Sequence, residues 1–347
     1  MIRSNSIESP IRLWSGIMRM RSWILPLAFS LLSLCLGSVR AEQSAPTLGA
    51  TEKIIIDTDI GGDIDDAFAI ALALRSPHLE ILGFSTESGD TEGRAKILDR
   101  LLGEVGRSDI PVTAGAPTSF EPGDELFAMS QVRYGANSHF AHATHPQAVD
   151  FILEKIRRYP GEITLVIIGP PKNIGTLIDQ SPETFHKLKR VVVMGGWIEP
   201  TKEDYENAPA QNPEAEWNIR EAIGAVQKMF TSGVPLYVMP VDSVGHLQLS
   251  DVNRDAVFAH GTPLTDALTL LYHQWSHVYR MDTPGLYDAM TIAYILDPTL
   301  CPVQPMHIRV DDQGFTRAEP GKPNVQVCLH SDADAFFRFY MKRLLAQ

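Results

Sequence analysis

Five short apolar or β-branched runs, at residues 53–56, 79–85, 163–168, 190–194 and 236–239, alternate with helix-like segments at 65–75, 91–105, 146–158, 219–230 and 263–280. A continuous apolar run suits a strand buried on both faces, and strand–helix alternation suits a parallel sheet with helices on either side. The pattern predicts an α/β fold with a mostly parallel, doubly wound central sheet flanked by helices. In such folds ligands sit outside the carboxyl ends of the strands. No repeat, low-complexity tract or linker interrupts residues 42–347, which read as one domain.

The N-terminus reads differently. Arg19 and Arg21 precede an apolar run at 23–36, and Val39-Arg40-Ala41 supplies small residues at cleavage spacing. This is the pattern of a secretory signal peptide over 1–41, removed before Glu42. The run is shorter than the roughly 18 residues a membrane span requires, and Leu34 beside Cys35 does not suit lipidation. Residues 1–17 add no signal feature, so Met18 or Met20 is an alternative start. The expected location is therefore periplasmic or extracellular.

Composition narrows the partners. The chain has 347 residues, 44% of them hydrophobic, enough for a sizeable core. Cleavage would remove five arginines and one glutamate, taking the formal charge from −12 to −16. That balance argues against nucleic acid or an anionic membrane as partner. Of three cysteines, Cys301 and Cys328 remain, enough for one disulfide. Their pairing stays open, as does assembly into a homodimer or homotetramer. No CxxC, HExxH, P-loop or GxSxG element is present, which removes common zinc, NTP and serine-hydrolase chemistries.

The densest chemistry lies in Ile54-Ile55-Ile56-Asp57-Thr58-Asp59-Ile60-Gly61-Gly62-Asp63-Ile64-Asp65-Asp66-Ala67, where Asp57, Asp59, Asp63, Asp65 and Asp66 crowd a glycine turn between strand and helix. Crowded carboxylates repel one another and persist when something compensates, for which a hard, oxygen-seeking cation is suited. A single aspartate here would ordinarily cap the helix, but five exceed that need. An EF-hand fails, because its fifth and twelfth positions, counted from Asp57, are Gly61 and Phe68. A haloacid-dehalogenase type phosphatase, with magnesium, shares the Asp-x-Asp after an apolar strand. It leaves Asp63, Asp65 and Asp66 unexplained, and Gly61 stands where that family has Thr or Val.

The stretch resembles instead the inosine-uridine preferring nucleoside hydrolase family, with two extra residues in the turn. The resemblance continues in order along the chain. In Thr86-Glu87-Ser88-Gly89-Asp90, Asp90 replaces an asparagine that contacts ribose. Gly169-Pro170-Pro171-Lys172-Asn173 is similar to a segment whose main-chain carbonyl binds calcium, here that of Lys172, so its side chain should matter little. Val192-Val193-Met194-Gly195-Gly196 resembles the next strand and glycine turn. Glu214-Ala215-Glu216-Trp217-Asn218 resembles an element that implies ribose contacts from Glu216 and Asn218. Tyr287-Asp288-Ala289 resembles the family's closing helix, giving Asp288 as the last metal ligand and Tyr287 where many members have histidine.

The resemblance implies a calcium-dependent N-glycosidase that hydrolyses ribonucleosides to ribose and free base. Asp59, Asp66, Asp288 and the Lys172 carbonyl would hold Ca2+, Asp65 would take a proton from water, Asp57 would support the loop, and Tyr287 would serve the leaving base. Cleavage through an oxocarbenium-like state calls for such a water and a stabilised sugar cation. Trp275, His277 and Tyr279 either pack in the core or stack on a base. His139, His142 and His145 have no carboxylate nearby in sequence, so they read as a mobile lid or solvated loop rather than a metal site. A magnesium phosphatase and a non-catalytic secreted nucleoside- or sugar-binding protein remain the alternatives.

Overall fold

The apolar run at 53–56 extends into β1 (Glu52–Thr58), an interior strand of an eight-stranded sheet. The computed structural model describes residues 51–119, 129–198 and 215–346. The signal-peptide reading at 1–41 lies outside the described residues. The predicted strands recur as β2 (Leu79–Thr86), β4 (Ile163–Ile168), β5 (Arg190–Met194) and β6 (Leu236–Met239). Short β3 (Val112–Ala114) joins one edge, and β7 (Val303–Met306) and β10 (Val325–Cys328) complete the other. A separate hairpin pairs β8 (Ile308–Val310) with β9 (Thr316–Ala318). The sheet order is β3-β2-β1-β4-β5-β6-β10-β7, parallel except where β7 runs against β10. Pro305 lies in β7 at the edge, where a missing backbone N–H is tolerated.

From β1 the chain first builds outward through β2 and β3, then returns to place β4 on β1's other side. This reversal opens a crevice at the carboxyl ends of β1 and β4, where doubly wound folds bind ligands. Alternating side chains of β1 fill both faces: Ile54 and Ile56 pack with Phe68, and Ile55 with Ile152 and Ile174.

Helices cover those faces. They include α1 (Asp65–Leu74), α2 (Thr91–Glu104), α3 (Val132–Gly135), α4 (Ala148–Arg158) and α5 (Lys172–Gln180). Helix α1 is buried all round, from Asp65 to Ala73, so it has no polar stripe and sits inside the molecule. The helix predicted at 219–230 is instead two, α6 (Trp217–Arg220) and α7 (Ile223–Thr231), broken where Ala222 turns to φ −145°. Gly314 lies beside that break, where a side chain would crowd Arg220 Cα at 3.3 Å. Three further helices bear on the argument: α8 (Pro263–Tyr279), α9 (Ala289–Leu296) and α10 (Ala333–Leu344). Tyr340 of α10 donates its hydroxyl to the Phe68 carbonyl at 2.8 Å, fastening the C-terminal helix to α1.

Cys301 and Cys328 pair in a buried disulfide with Cα atoms 5.6 Å apart, tying the approach to β7 to the end of β10. Among the described residues, no helix is long and apolar enough to cross a membrane.

Candidate active site

The turn after β1 holds its carboxylates by surrendering its backbone to neighbours. Arg94 of α2, 1% exposed, donates from Nη1 to the carbonyls of Asp59 and Ile60, the latter at 2.9 Å. Gln131 N–H reaches Gly61 O at 3.0 Å, and Ser130 Oγ reaches Gly62 O at 2.6 Å. Gln131 Nε2 bonds the carbonyls of Gly62 and Asp63 at 3.0 and 2.7 Å. Five successive carbonyls are thereby satisfied from outside the turn, as buried backbone requires. Gly61 adopts φ +110°, which suits glycine, and a side chain there would strike Ile97. The longer turn is thus a braced structure whose side chains need not bond each other.

Those side chains point inward. Asp65 and Asp66 open α1, yet the residue before them, Ile64, provides no side-chain cap, and neither carboxylate serves as one. Asp288 precedes α9 and likewise makes no cap bond. Instead the carboxylates of Asp65, Asp66 and Asp288 converge, with ligand atoms all within 4.8 Å of one another. Each is nearly fully buried. Burial comes first in pushing all three well above the usual carboxylate range, and repulsion among Asp59, Asp65 and Asp66 adds to it. Thr58 Oγ1 donates to Asp66. Asp59 is also raised by burial, against the pull of Arg94 and Lys172. Asp63 is pushed up to about 6 by burial, although it accepts from its neighbour Ile64 N–H at 2.6 Å.

Asp57 occupies a layer behind. Its Oδ1 accepts from Ser85 Oγ at 2.5 Å and Asn173 Nδ2 at 2.8 Å, and burial pushes it up to about 6. A phosphatase of the haloacid-dehalogenase type would need an aspartate of the Asp-x-Asp pair to attack; Asp57 is fully buried and bound to β2 and α5 instead.

Other predicted residues fare unequally. Lys172 is the first residue of α5, and its carbonyl accepts from Thr176 Oγ1 at 3.2 Å. Its side chain is engaged as well: Nζ donates to Ser88 Oγ at 3.1 Å, lies 3.8 Å from Glu221, and favours ionised Asp59. Glu216 caps α6, accepting from the N–H groups of Asn218, Gly196 and Ile219 at 2.9, 3.0 and 3.1 Å. Burial raises it first, and repulsion from Asp59 places it within electrostatic reach of the aspartates. Asn218 is buried, with Nδ2 near the Met194 carbonyl at 3.4 Å. Asp90 is exposed and caps α2, its Oδ1 accepting from Gly93 N–H at 2.9 Å.

The aromatic trio divides by helical geometry. Trp275 and Tyr279, one turn apart on α8, stack at 5.7 Å and 27° on the inward face. Trp275 is 1% exposed and belongs to the core; its indole N–H faces Asp63 without ordinary hydrogen-bond geometry. His277, two residues from Trp275 on α8, is exposed. Tyr287 is partly buried beside Asp63 and Gln248, and burial first, then Asp63, push its phenol up to about 12.

Glu87 escaped sequence reasoning. It is 1% exposed, neither carboxylate oxygen has a hydrogen-bond partner, and burial with Asp57 and Asp59 pushes it well above the usual range. Gly169 makes room for it: a Cβ there would lie 2.5 Å from Glu87 Oε1 and 2.8 Å from Asp59 Oδ1. The clue in the sequence was a charged residue directly after an apolar strand. The histidine expectation also needs correction. Asp99 and Glu92, both on α2, meet His142 and His145, and His145 has a side chain only 2% exposed. That loop is pinned along α2 rather than solvated, with Phe140 filling the space above Gly103 and Gly135 against the Ile97 backbone. His139 stays exposed, its ring against Phe140.

The buried carboxylates of Asp65, Asp66 and Asp288, with partly buried Asp59 close enough to repel them, form an all-oxygen, mutually repulsive set that fits a hard divalent cation. Comparison with known proteins agrees in kind. Residues 54–338 match the family model described as inosine-uridine preferring nucleoside hydrolase. The chain is 29% identical over 297 residues to uridine nucleosidase 1 of Arabidopsis thaliana, covering 81% of this chain and 84% of that one. It is 27% identical over 317 residues to the pyrimidine-specific ribonucleoside hydrolase RihA of Citrobacter koseri, covering 84% and 97%. Among solved structures, a plant nucleoside hydrolase superposes with a TM-score of 0.73 at 26% identity, covering 85% of this chain and 99% of that one.

Proposed function

The chain belongs to the inosine-uridine preferring nucleoside hydrolase family, whose members are N-glycosidases acting on ribonucleosides, and from that premise we propose calcium-assisted hydrolysis of pyrimidine ribosides. The observation that carries this reading is the convergence of Asp65, Asp66 and Asp288 at the mouth of the crevice, uncapped and nearly fully buried. Relatives described as a uridine nucleosidase and a pyrimidine-specific hydrolase make uridine the first substrate to test.

Asp59, Asp66, Asp288 and the Lys172 carbonyl would hold the ion. When bound, calcium supplies Lewis acidity toward water and the ribose hydroxyls. Asp65, whose carboxylate lies beside those of Asp66 and Asp288, takes a proton from the attacking water as general base. Glu216 and Asn218 face the ribose, with the Glu216 carboxylate already fixed by three backbone donors. As water oxygen bonds to C1′, the bond to the base nitrogen breaks and its electron pair leaves with the base. Tyr287 stays protonated at neutral pH and donates a hydrogen bond to that base. Asp57 fixes the turn through Ser85 and Asn173.

The apolar run near the N-terminus and the Cys301–Cys328 bond favour export to an oxidising compartment. Incubating the purified protein with uridine, inosine and p-nitrophenyl phosphate tests the reading. Release of uracil with equimolar ribose supports it; phosphate release without ribose overturns it.

A further inference from the structure

We propose that Asp99, His142 and His145 form a second metal site, for a divalent transition ion such as zinc, sharing no residue with the aspartate cluster. Asp99 Oδ2 lies 2.9 Å from His142 Nδ1 and 3.0 Å from His145 Nε2, and the three ligand atoms fall within 4.8 Å of one another. Two imidazoles and one carboxylate with a fourth position left open is a donor set that zinc accepts. Imidazole nitrogen selects such an ion over calcium, which prefers the oxygen donors of the aspartate turn.

The surroundings are arranged as a metal site requires. Glu92 Oε2 sits 2.7 Å from His145 Nδ1, so a carboxylate orients the ring and leaves Nε2 aimed at Asp99. Carboxylate support of the far ring nitrogen fixes tautomer and direction in metal-binding histidines. Asp99 and His145 side chains are 3% and 2% exposed, whereas His142 is 70% exposed, giving the site a solvent-facing side for ion entry. Asp99 Oδ2 also accepts the His142 backbone N–H at 2.6 Å, holding the loop in place before any ion arrives.

The consequence is mechanical. The histidines follow α3, which is preceded by Ser130 and Gln131, donors to the Gly62 carbonyl, and helix α2 that bears Asp99 also supplies Arg94 to Asp59 and Ile60. An ion joining Asp99 to His142 and His145 fastens together the two supports of the aspartate turn.

The test is a zinc titration of the whole protein by calorimetry in saturating calcium, repeated with cobalt for its visible spectrum. One zinc per chain is expected, with a tetrahedral cobalt spectrum. His142→Ala, at an exposed position that spares the fold, removes a direct ligand and should weaken zinc more than loss of an outer-shell partner, which costs about 10–100-fold. Glu92→Gln should weaken it about 10–100-fold. Asp288→Asn should leave zinc affinity unchanged. Absence of zinc uptake would overturn the proposal, showing the histidines to be bridged by hydrogen bonds alone. Zinc binding indifferent to His142→Ala but lost in Asp288→Asn would also overturn it, placing the ion among the aspartates.

Discussion

Asp288 stands immediately before α9 yet caps nothing, and its carboxylate meets that of Asp65, the first residue of α1. Two residues 223 positions apart thus face each other across the crevice, each foregoing the ordinary role of an aspartate at a helix start. Their repulsion is tolerable only with a proton or a cation between them. Asp288→Asn should therefore weaken calcium strongly while leaving the fold intact, whereas Asp65→Asn should keep the ion and lose about 10²–10⁴-fold in kcat. Calorimetry and steady-state kinetics on both variants check this; equal effects on binding and turnover would merge the two roles.

The same repulsion sets a pH dependence of stability in metal-free protein. Burial pushes Asp57 and Asp63 up to about 6, and Asp65, Asp66 and Asp288 are also raised well above the usual carboxylate range, by burial first and mutual repulsion second. Folded carboxylates then bind protons more tightly than unfolded ones, whose pKa is about 3.9. Their stabilising contribution is complete below that value and is lost as pH rises through 6 and beyond. Chelated protein should melt at a higher temperature at pH 5 than at pH 8, and calcium should narrow the gap. A metal-free protein as stable at pH 8 as at pH 5 would show that the cluster is not repulsive.

Tyr287 carries the prediction for the leaving base. Its phenol, pushed up to about 12, stays protonated across the working range, so no alkaline loss of activity below about pH 10 should trace to it. Tyr287→Phe should lower kcat on uridine by roughly 10²-fold and leave p-nitrophenyl riboside nearly unchanged. Equal small losses on both would reduce Tyr287 to packing.

The disulfide predicts a stability effect without a catalytic one. Cys301 and Cys328 enclose a loop with a sequence separation of 27, for which chain entropy suggests about 3–4 kcal/mol. Replacing both with alanine should lower unfolding free energy by that order in urea, with kcat unchanged. Unaltered stability would mean the buried pair contributes no net constraint.

Local patterns carried the parallel strands and the aspartate turn because their determinants are contiguous: Ile54-Ile55-Ile56 fixes β1, and the five aspartates follow it directly. Edge strands β3 and β7 were not legible, being three and four residues long with little periodicity. Side-chain roles that arise by packing were also hidden. Arg94, inside the predicted helix 91–105, is buried beneath the turn, a role that only packing creates. Asp99 is 43 residues from His142, so sequence proximity wrongly suggested histidines without a carboxylate. Asp90 reads as a ribose contact by position, and its second role, capping the Gly93 N–H three residues on, was also hidden.

The central claim is that the buried carboxylates hold a cation needed for hydrolysis. The most direct measurement is ribose release from uridine by protein stripped of metal, verified by elemental analysis, before and after adding calcium. The account predicts negligible turnover in the stripped enzyme, restoration by calcium in a one-to-one titration, and no restoration in Asp288→Asn. Full turnover by the metal-free protein would contradict it.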